Sequence, residues 1–421
     1  MNPGTKSAAM IIYRTPEDDT TELTATMPRN GINGSAVPTM EASGMEGTYS
    51  PRGNTHPNTA PARVKRLTKP MSSDPRKFRW NRKHFALQQG KIRTSGWRFL
   101  SQGFFTVLCI VLGWQFIQFV DAAYTTTAGP LPTRPPGVEG FLPISGLMGA
   151  LDWIYQGSLN TIHPAATILF LLFVALAVVF RKSFCGWICP VGLVSETLAR
   201  VGRWVFGKNV KPWPWLDFIL RGLKYFILGF FVWAIIGMGA EGLNAFITSP
   251  YNKVSDIKML EFFRDLSRVG GIVILVLAAG SVVINGFWCR YMCPYGALMG
   301  LVGWFSPVKV RRDDSKCIDC KLCDKACPAK LIVSTRDTIT KVECIGCHDC
   351  VSSCPAPGAL MFGTKKRSLK PRTIAIAIVI ALVAATGSAR LFGVWQNNIS
   401  DDEIRFHVAR MESEEYGHPG R

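Results

Sequence analysis

The chain alternates between apolar runs of membrane length and short connectors that are mostly basic. The runs cover Phe99 to Val120, Ala165 to Phe180, Leu216 to Met238, Val269 to Phe287 and Thr373 to Val394. About twenty apolar residues in a helix cross a bilayer, so the pattern predicts five transmembrane helices. The connectors differ in charge. Asp121 to Pro164 has Arg134 as its sole Lys or Arg and carries Asp121, Glu139 and Asp152. Within it, Phe141 to Tyr155 is apolar but too short to span, which predicts an interfacial or re-entrant segment.

The other connectors hold the cations. Arg76, Lys77, Arg79, Arg82, Lys83, Lys91, Arg93 and Arg98 precede the first run. Arg181, Lys182, Arg200, Arg203, Lys208 and Lys211 follow the second, and Lys365, Lys366, Arg367, Lys370 and Arg372 lead into the fifth. An excess of Lys and Arg marks cytoplasmic loops. Arg221, Lys224 and Arg390, near span ends, are expected to snorkel. The tail carries Asp401, Asp402, Glu403, Glu412, Glu414 and Glu415, and five spans put it outside. The formal charge of +19 with a mean hydropathy of +0.17 therefore describes a basic-sided membrane protein and excludes a soluble nucleic-acid binder. Residues 1–75 are rich in Pro, Gly, Ser and Thr and read as a disordered tail, with Met71 an alternative start. Residues 76–98 form a basic juxtamembrane segment.

The cysteines change the picture. Cys317 to Pro328 and Cys344 to Pro355 each read C-x2-C-x2-C-x3-C-P. In this bacterial two-cluster spacing, the fourth cysteine of each run ligates the other cluster. One [4Fe-4S] cluster is expected on Cys317, Cys320, Cys323 and Cys354, and a second on Cys344, Cys347, Cys350 and Cys327. A zinc ribbon would need only two cysteine pairs and no crossover. Such ligands must stay reduced, which agrees with a cytoplasmic side.

Two further pairs lie in an internal repeat. Phe184 to Val194 reads F-C-G-W-I-C-P-V-G-L-V and matches W-C-R-Y-M-C-P-Y-G-A-L over Trp288 to Leu298. Each follows a two-span hairpin, and both leave on one side, which predicts a parallel repeat. Cys185 with Cys189, and Cys289 with Cys293, could bind a soft metal or a further cluster, exchange electrons as thiol and disulfide, or simply pack.

The predicted architecture is an α-helical integral membrane protein with two parallel two-span repeats over residues 99–308. An α+β 2[4Fe-4S] ferredoxin-like domain is inserted over 309–371. A fifth helix covers 372–395, and a short acidic periplasmic tail covers 396–421.

The two C-x3-C-P motifs at span ends, followed by twin ferredoxin motifs, resemble the NapH, YccM, CcoG and NosR group of polyferredoxin-type membrane proteins over roughly Arg76 to Val394. The chain lacks the large flavin domain of the NosR type and the exported β domain of the CcoG type, so NapH or YccM is the nearer likeness. The resemblance implies an electron carrier in the bacterial inner membrane, between quinone or quinol in the bilayer and a redox partner protein. A metal-handling assembly factor that reduces copper at the C-x3-C-P thiols is the alternative that CcoG suggests. A third reading is a membrane anchor for a soluble redox enzyme.

Single residues carry less. His163, at the outer start of the second span, is a candidate quinone contact, weighed against an ordinary interfacial histidine. Glu241 and Asn244 are weaker polar candidates. His348 tunes a cluster or is merely exposed, since eight thiolates already account for two clusters. Cys109 is a small buried residue. His56, His84, His407 and His418 lie outside the spans, so a transmembrane bis-histidine haem is not expected. The sequence carries no nucleotide-binding glycine motif and no catalytic triad.

Overall fold

In a computed structural model the described residues are 95–125, 129–210, 212–413 and 416. The expected tail (1–75), most of the basic segment (76–94), His56, His84, Lys211, Glu414, Glu415 and His418 lie outside them.

Helices dominate. Three are long and apolar enough to cross a membrane: α1 (Gly96–Thr125), α5 (Pro214–Gly237) and α13 (Pro371–Leu391). A shorter apolar helix, α3 (Pro164–Phe180), runs for 17 residues. Helix α8 (Ser255–Arg264) and helix α9 (Arg268–Val283) make a pair bent by 83°, which passes the same test together. This gives three crossing helices, or four with the bent pair, where the hydropathy pattern predicts five. The shortfall has local causes. Helix α3 has 17 residues and α9 has 16, the latter beginning after Ser267, whose backbone is extended (ψ 153°) and whose side chain accepts the Gly270 N–H.

Two packed ends organise these helices. At one end the start of α1, the end of α3 and the start of α5 meet the cysteine-rich segment. At the other end Phe116, Phe119 and Val120 of α1 pack with Val254 and Ile257, and with Ile404 and Val408 of a tail helix, α14 (Asp401–Ala409). The segment expected to be interfacial forms α2 (Pro143–Gln156). It lies directly on α3, because a Cβ on Gly146 would sit 2.7 Å from the Ala166 carbonyl oxygen.

The expected α+β insert is small. Strand β1 (Lys309–Arg312) pairs antiparallel with β2 (Leu360–Gly363), in the register Val310 opposite Phe362. Two short helices, Leu322–Ala326 and Asp349–Ser352, follow the two cysteine loops. The core of this region is continuous with that of the membrane helices: Trp187, Phe173, Val310, Phe362 and Ile378 belong to one buried cluster.

Candidate redox centre

Each ferredoxin loop bends by the same device. Asp319 and Lys321 have φ of 54° and 59°, and the matching Gly346 and His348 have 62° and 69°. These left-handed residues fold C-I-x-C-x-x-C into a ring around a common interior. The thiols then group across the two runs. Cys354 lies close enough to Cys317 and Cys320 to feel their charge, and Cys323 feels Cys320 and Cys354. Cys327 feels Cys344, while Cys347 and Cys350 both feel Cys327. Cys354 therefore lies near Cys317 and Cys320 of the first run, Cys327 lies near Cys344 of the second, and Cys350 also feels Cys323.

The donor set fits iron-sulfur clusters. None of the 13 cysteines, all among the described residues, is in a disulfide. Among the described residues, no three His, Cys, Asp or Glu side chains converge closely enough for a single metal ion. Burial pushes the Cys323 thiol up to about 12, Cys327 to about 11, and Cys347 and Cys350 well above the usual thiol range. Buried thiols of this kind become thiolates only with a compensating cation, so loading releases protons. The Leu331 N–H lies 3.4 Å from the Cys327 Sγ and is aimed at it.

The second group of thiols is built by the repeated turns. Phe184–Ile188 and Trp288–Met292 are both single π-helical turns. In each, the second cysteine caps the following helix and proline takes the first helical position: α4 (Pro190–Phe206) after Cys189, and α10 (Pro294–Val302) after Cys293. Proline at that position loses no needed hydrogen bond. The Gly296 N–H donates to the Cys293 Sγ at 3.2 Å. Cys185 feels Cys293, and Cys189 feels Cys185, Cys289 and Cys293, so the four thiols share one neighbourhood. Burial raises Cys185 to about 11 and Cys289 to about 12, and the Ser195 hydroxyl lies beside the Cys289 thiol.

All four thiols line a cavity of about 1270 Å³ between the helices. Leu108, Leu112, Phe173 and Tyr295 form part of its wall, and Cys109 opens onto it as well. His163, Glu241 and Asn244 do not line it. His163 is 4% exposed and held elsewhere. Its Nε2 is 2.7 Å from the Asn252 carbonyl oxygen, and its Nδ1 is 3.3 Å from Glu139 Oε1. Burial opposes charging that ring, but Glu139 outweighs it and raises the pKa.

Both turns press against the ferredoxin loops at the same place. A Cβ on Gly186 would lie 2.7 Å from the Ile345 carbonyl oxygen, and Trp187 Nε1 donates to the Gly346 carbonyl oxygen at 3.0 Å. In the second turn, Arg290 Nη1 donates to the Ala329 carbonyl oxygen at 2.8 Å. Asn285 donates to the Pro328 carbonyl oxygen at 2.9 Å. Ile345 and Gly346 lie between Cys344 and Cys347, and Pro328 follows Cys327. The cavity therefore adjoins the Cys327, Cys344, Cys347 and Cys350 set, all four of which are buried. Cys317, Cys320 and Cys354 of the other set are half-buried.

Several residues at this junction escape sequence reasoning. Arg98, 3% exposed, donates to Asp349 Oδ2 at 2.7 Å and to the Gly186 carbonyl oxygen at 3.0 Å, and also pairs with Glu196. It reads as one cation in a basic run. Lys224, expected to snorkel, is fully buried and donates to Glu343 at 2.7 and 2.8 Å. Arg221 pairs with Asp217, which also accepts from Arg290. His348 is buried, with Nε2 3.2 Å from the Leu369 carbonyl oxygen, and burial lowers its pKa. The aromatic pair Trp187 and Tyr291 did leave a signal, since both occupy the same place in the repeat and both are at most 1% exposed.

A "4Fe-4S binding domain" family model matches residues 162–209 and 269–313, spanning both C-x3-C-P turns. A "4Fe-4S dicluster domain" model matches 309–355. YccM of Escherichia coli K12, named for electron transport, is 36% identical over 299 residues, covering 69% of this chain and 83% of that protein. The chain belongs to the YccM-like family of ferredoxin-type electron-transport proteins. The chain is also similar to the ferredoxin-type protein NapH of Haemophilus influenzae, 28% identical over 36% of this chain and 49% of its own. The protein NirI of Paracoccus denitrificans is 25% identical over 55% of this chain and 31% of its own. No solved structure matches. The protein is thus an iron-sulfur electron-transfer protein with membrane-crossing helices.

Proposed function

We propose that this YccM-like protein passes electrons between a quinol or quinone in the cavity and a redox partner protein docked near the half-buried cysteine set. Bound clusters supply one-electron transfer. The chain's own residues set the order. Cys185, Cys189, Cys289 and Cys293 border the cavity and would hold a further cluster. The turns that carry them abut the Cys327, Cys344, Cys347 and Cys350 set, which would hold the buried cluster. Cys317, Cys320, Cys323 and Cys354 would hold the outermost. Leu108, Leu112 and Phe173 exclude water from the cavity side.

The observation that carries this reading is the double contact of both C-x3-C-P turns with segments of one ferredoxin set. The quinone head is assigned to the cavity and not to His163, whose ring is already engaged.

Five crossings are supported by the way α1, α3, α5, α9 and α13 alternate between the same two ends. A cytoplasmic ferredoxin end in the inner membrane is supported by the cations gathered there. A reporter fused after Arg421 should then be active only outside.

The deciding experiment is anaerobic EPR of the detergent-solubilised protein, titrated with a quinol analogue and then with dithionite, alongside iron analysis. Cluster signals should appear with quinol. The Cys185→Ser/Cys289→Ser variant should lose one cluster's share of iron and its quinol response. Signals that need dithionite in both proteins would overturn the reading.

A further inference from the structure

The thiol end of the cavity gathers buried charge that the order of the thiol sets does not explain. Three cations line it: Arg98, Lys182 and Arg290. Two of them have carboxylates of their own. Arg98 donates to Asp349 and Glu196, and Arg290 donates to both oxygens of Asp217 at 2.9 Å. Lys182 has no carboxylate to itself. Its ion pair is with Glu343 Oε2 at 3.9 Å, too long for a hydrogen bond. That carboxylate is already taken. Lys224, fully buried, donates to its two oxygens at 2.7 and 2.8 Å, and the Tyr225 hydroxyl donates to one of them at 3.4 Å.

Lys182 is nonetheless accommodated. It is 4% exposed. Gly300 of α10 leaves room for it, since a Cβ there would lie 3.4 Å from the Lys182 Nζ. Two buried lysines thus share one carboxylate, and one positive charge is left over. A buried cation with no anion to balance it is strongly disfavoured. Beside it stand the four C-x3-C-P thiols. Lys182 precedes Cys185 by three positions and lies close enough to act on the charge of both Cys185 and Cys289, so its field reaches both halves of the repeat.

A cluster on four thiolates is anionic, and net charge sets its potential. Each electron taken up adds one negative charge, so a fixed cation alongside favours the reduced form. We infer that Lys182 is a positioning residue that raises the reduction potential of the centre held by Cys185, Cys189, Cys289 and Cys293. This makes that centre the first acceptor for electrons from the cavity. The inference rests on the reading of these four thiols as cluster ligands.

The test uses the full chain in mild detergent, with iron counting and an EPR-monitored redox titration against mediators. The Cys185→Ser/Cys289→Ser variant identifies this centre's signal by its loss. Lys182→Met should make the centre harder to reduce. At a fixed potential its reduced-to-oxidised ratio should fall at least about tenfold, about 59 mV for one electron. Lys182→Arg should restore the wild-type potential. Glu343→Gln removes the anion instead and should shift the same signal the opposite way, which a loosened fold would not do. That variant keeps the inference testable even where Lys182→Met loads less iron. A potential unmoved in both variants, with the centre present, would overturn this inference alone. So would an unmoved potential with weaker reduction by a quinol analogue, which would make Lys182 a contact of the quinone. Signals and iron untouched by Cys185→Ser/Cys289→Ser would overturn the cluster reading and this inference together.

Discussion

The two ferredoxin loops share their spacing, their crossed thiols and their left-handed bends, yet they sit in different worlds. The loop from Cys344 to Cys350 is sewn into the membrane helices. Ser95 N–H and Arg98 hold Asp349, Trp187 reaches Gly346, and Lys224 holds Glu343. Beside the loop from Cys317 to Cys323, Arg312 pairs with exposed Asp314, Asp319 and Asp337. The two loops repeat one another, and the second is tied to the membrane-length helices through these side chains.

The sharpest break of that comparison is one thiol on each side. Cys347→Ser should abolish quinol-linked reduction altogether, because it removes the set that the C-x3-C-P turns touch. Cys320→Ser should lose one cluster but leave quinol-reducible signal from the other. EPR with iron counting reads both. Equal losses of quinol response would show that the two sets are not arranged in series.

The next largest effect lies in the arginines. Arg98→Met leaves Asp349 and Glu196 without their buried counter-ion, and breaking such a pair costs about 3–5 kcal/mol. Arg312→Met removes partners that are mostly exposed, where pairs are worth about 0–1 kcal/mol. Thermal unfolding of the two variants in the same detergent should separate them clearly. The triple change Arg98→Met/Asp349→Leu/Glu196→Gln should recover much of the loss, because no buried charge is then left unpaired.

How much of this could be read in the sequence follows from the range of each interaction. The thiol spacing is local and legible, and so are the prolines that start α4 and α10 one residue after Cys189 and Cys293. The membrane runs are legible as apolar stretches, but the length of each helix is not, since Ser267 caps α9 and leaves it 16 residues long. Arg98 and Asp349 are 251 positions apart, and nothing local marks either as the other's partner. Nor does the apolar pattern reveal a cavity, because residues that line it and residues that face lipid have the same composition. His163 stands out by position, but its contacts with Asn252 and Glu139 are not legible locally.

The smallest predicted effect compares equivalent backbone positions. Gly346 and Asp319 occupy the same place in the two loops and have nearly the same positive φ. Asp319→Gly relieves a left-handed side chain but loosens the unfolded chain and loses a long contact with Arg312 at 3.8 Å. These effects are each about 1 kcal/mol and opposed, so unfolding should shift little. Gly346→Ala adds the left-handed cost of about 1–2 kcal/mol. It also drives a Cβ to 3.0 Å from the Phe180 carbonyl oxygen and 3.2 Å from the Phe362 ring. Neither neighbour can retreat easily. Phe362 is fully buried, and Phe180 precedes Arg181, whose side chain is bound to the Ile339 carbonyl oxygen at 2.9 Å. Gly346→Ala should therefore lower the unfolding temperature well beyond Asp319→Gly. If the two variants proved equally mild, the membrane-facing loop would be looser than its contacts describe, and the contrast between the two cages would have to rest on charge alone.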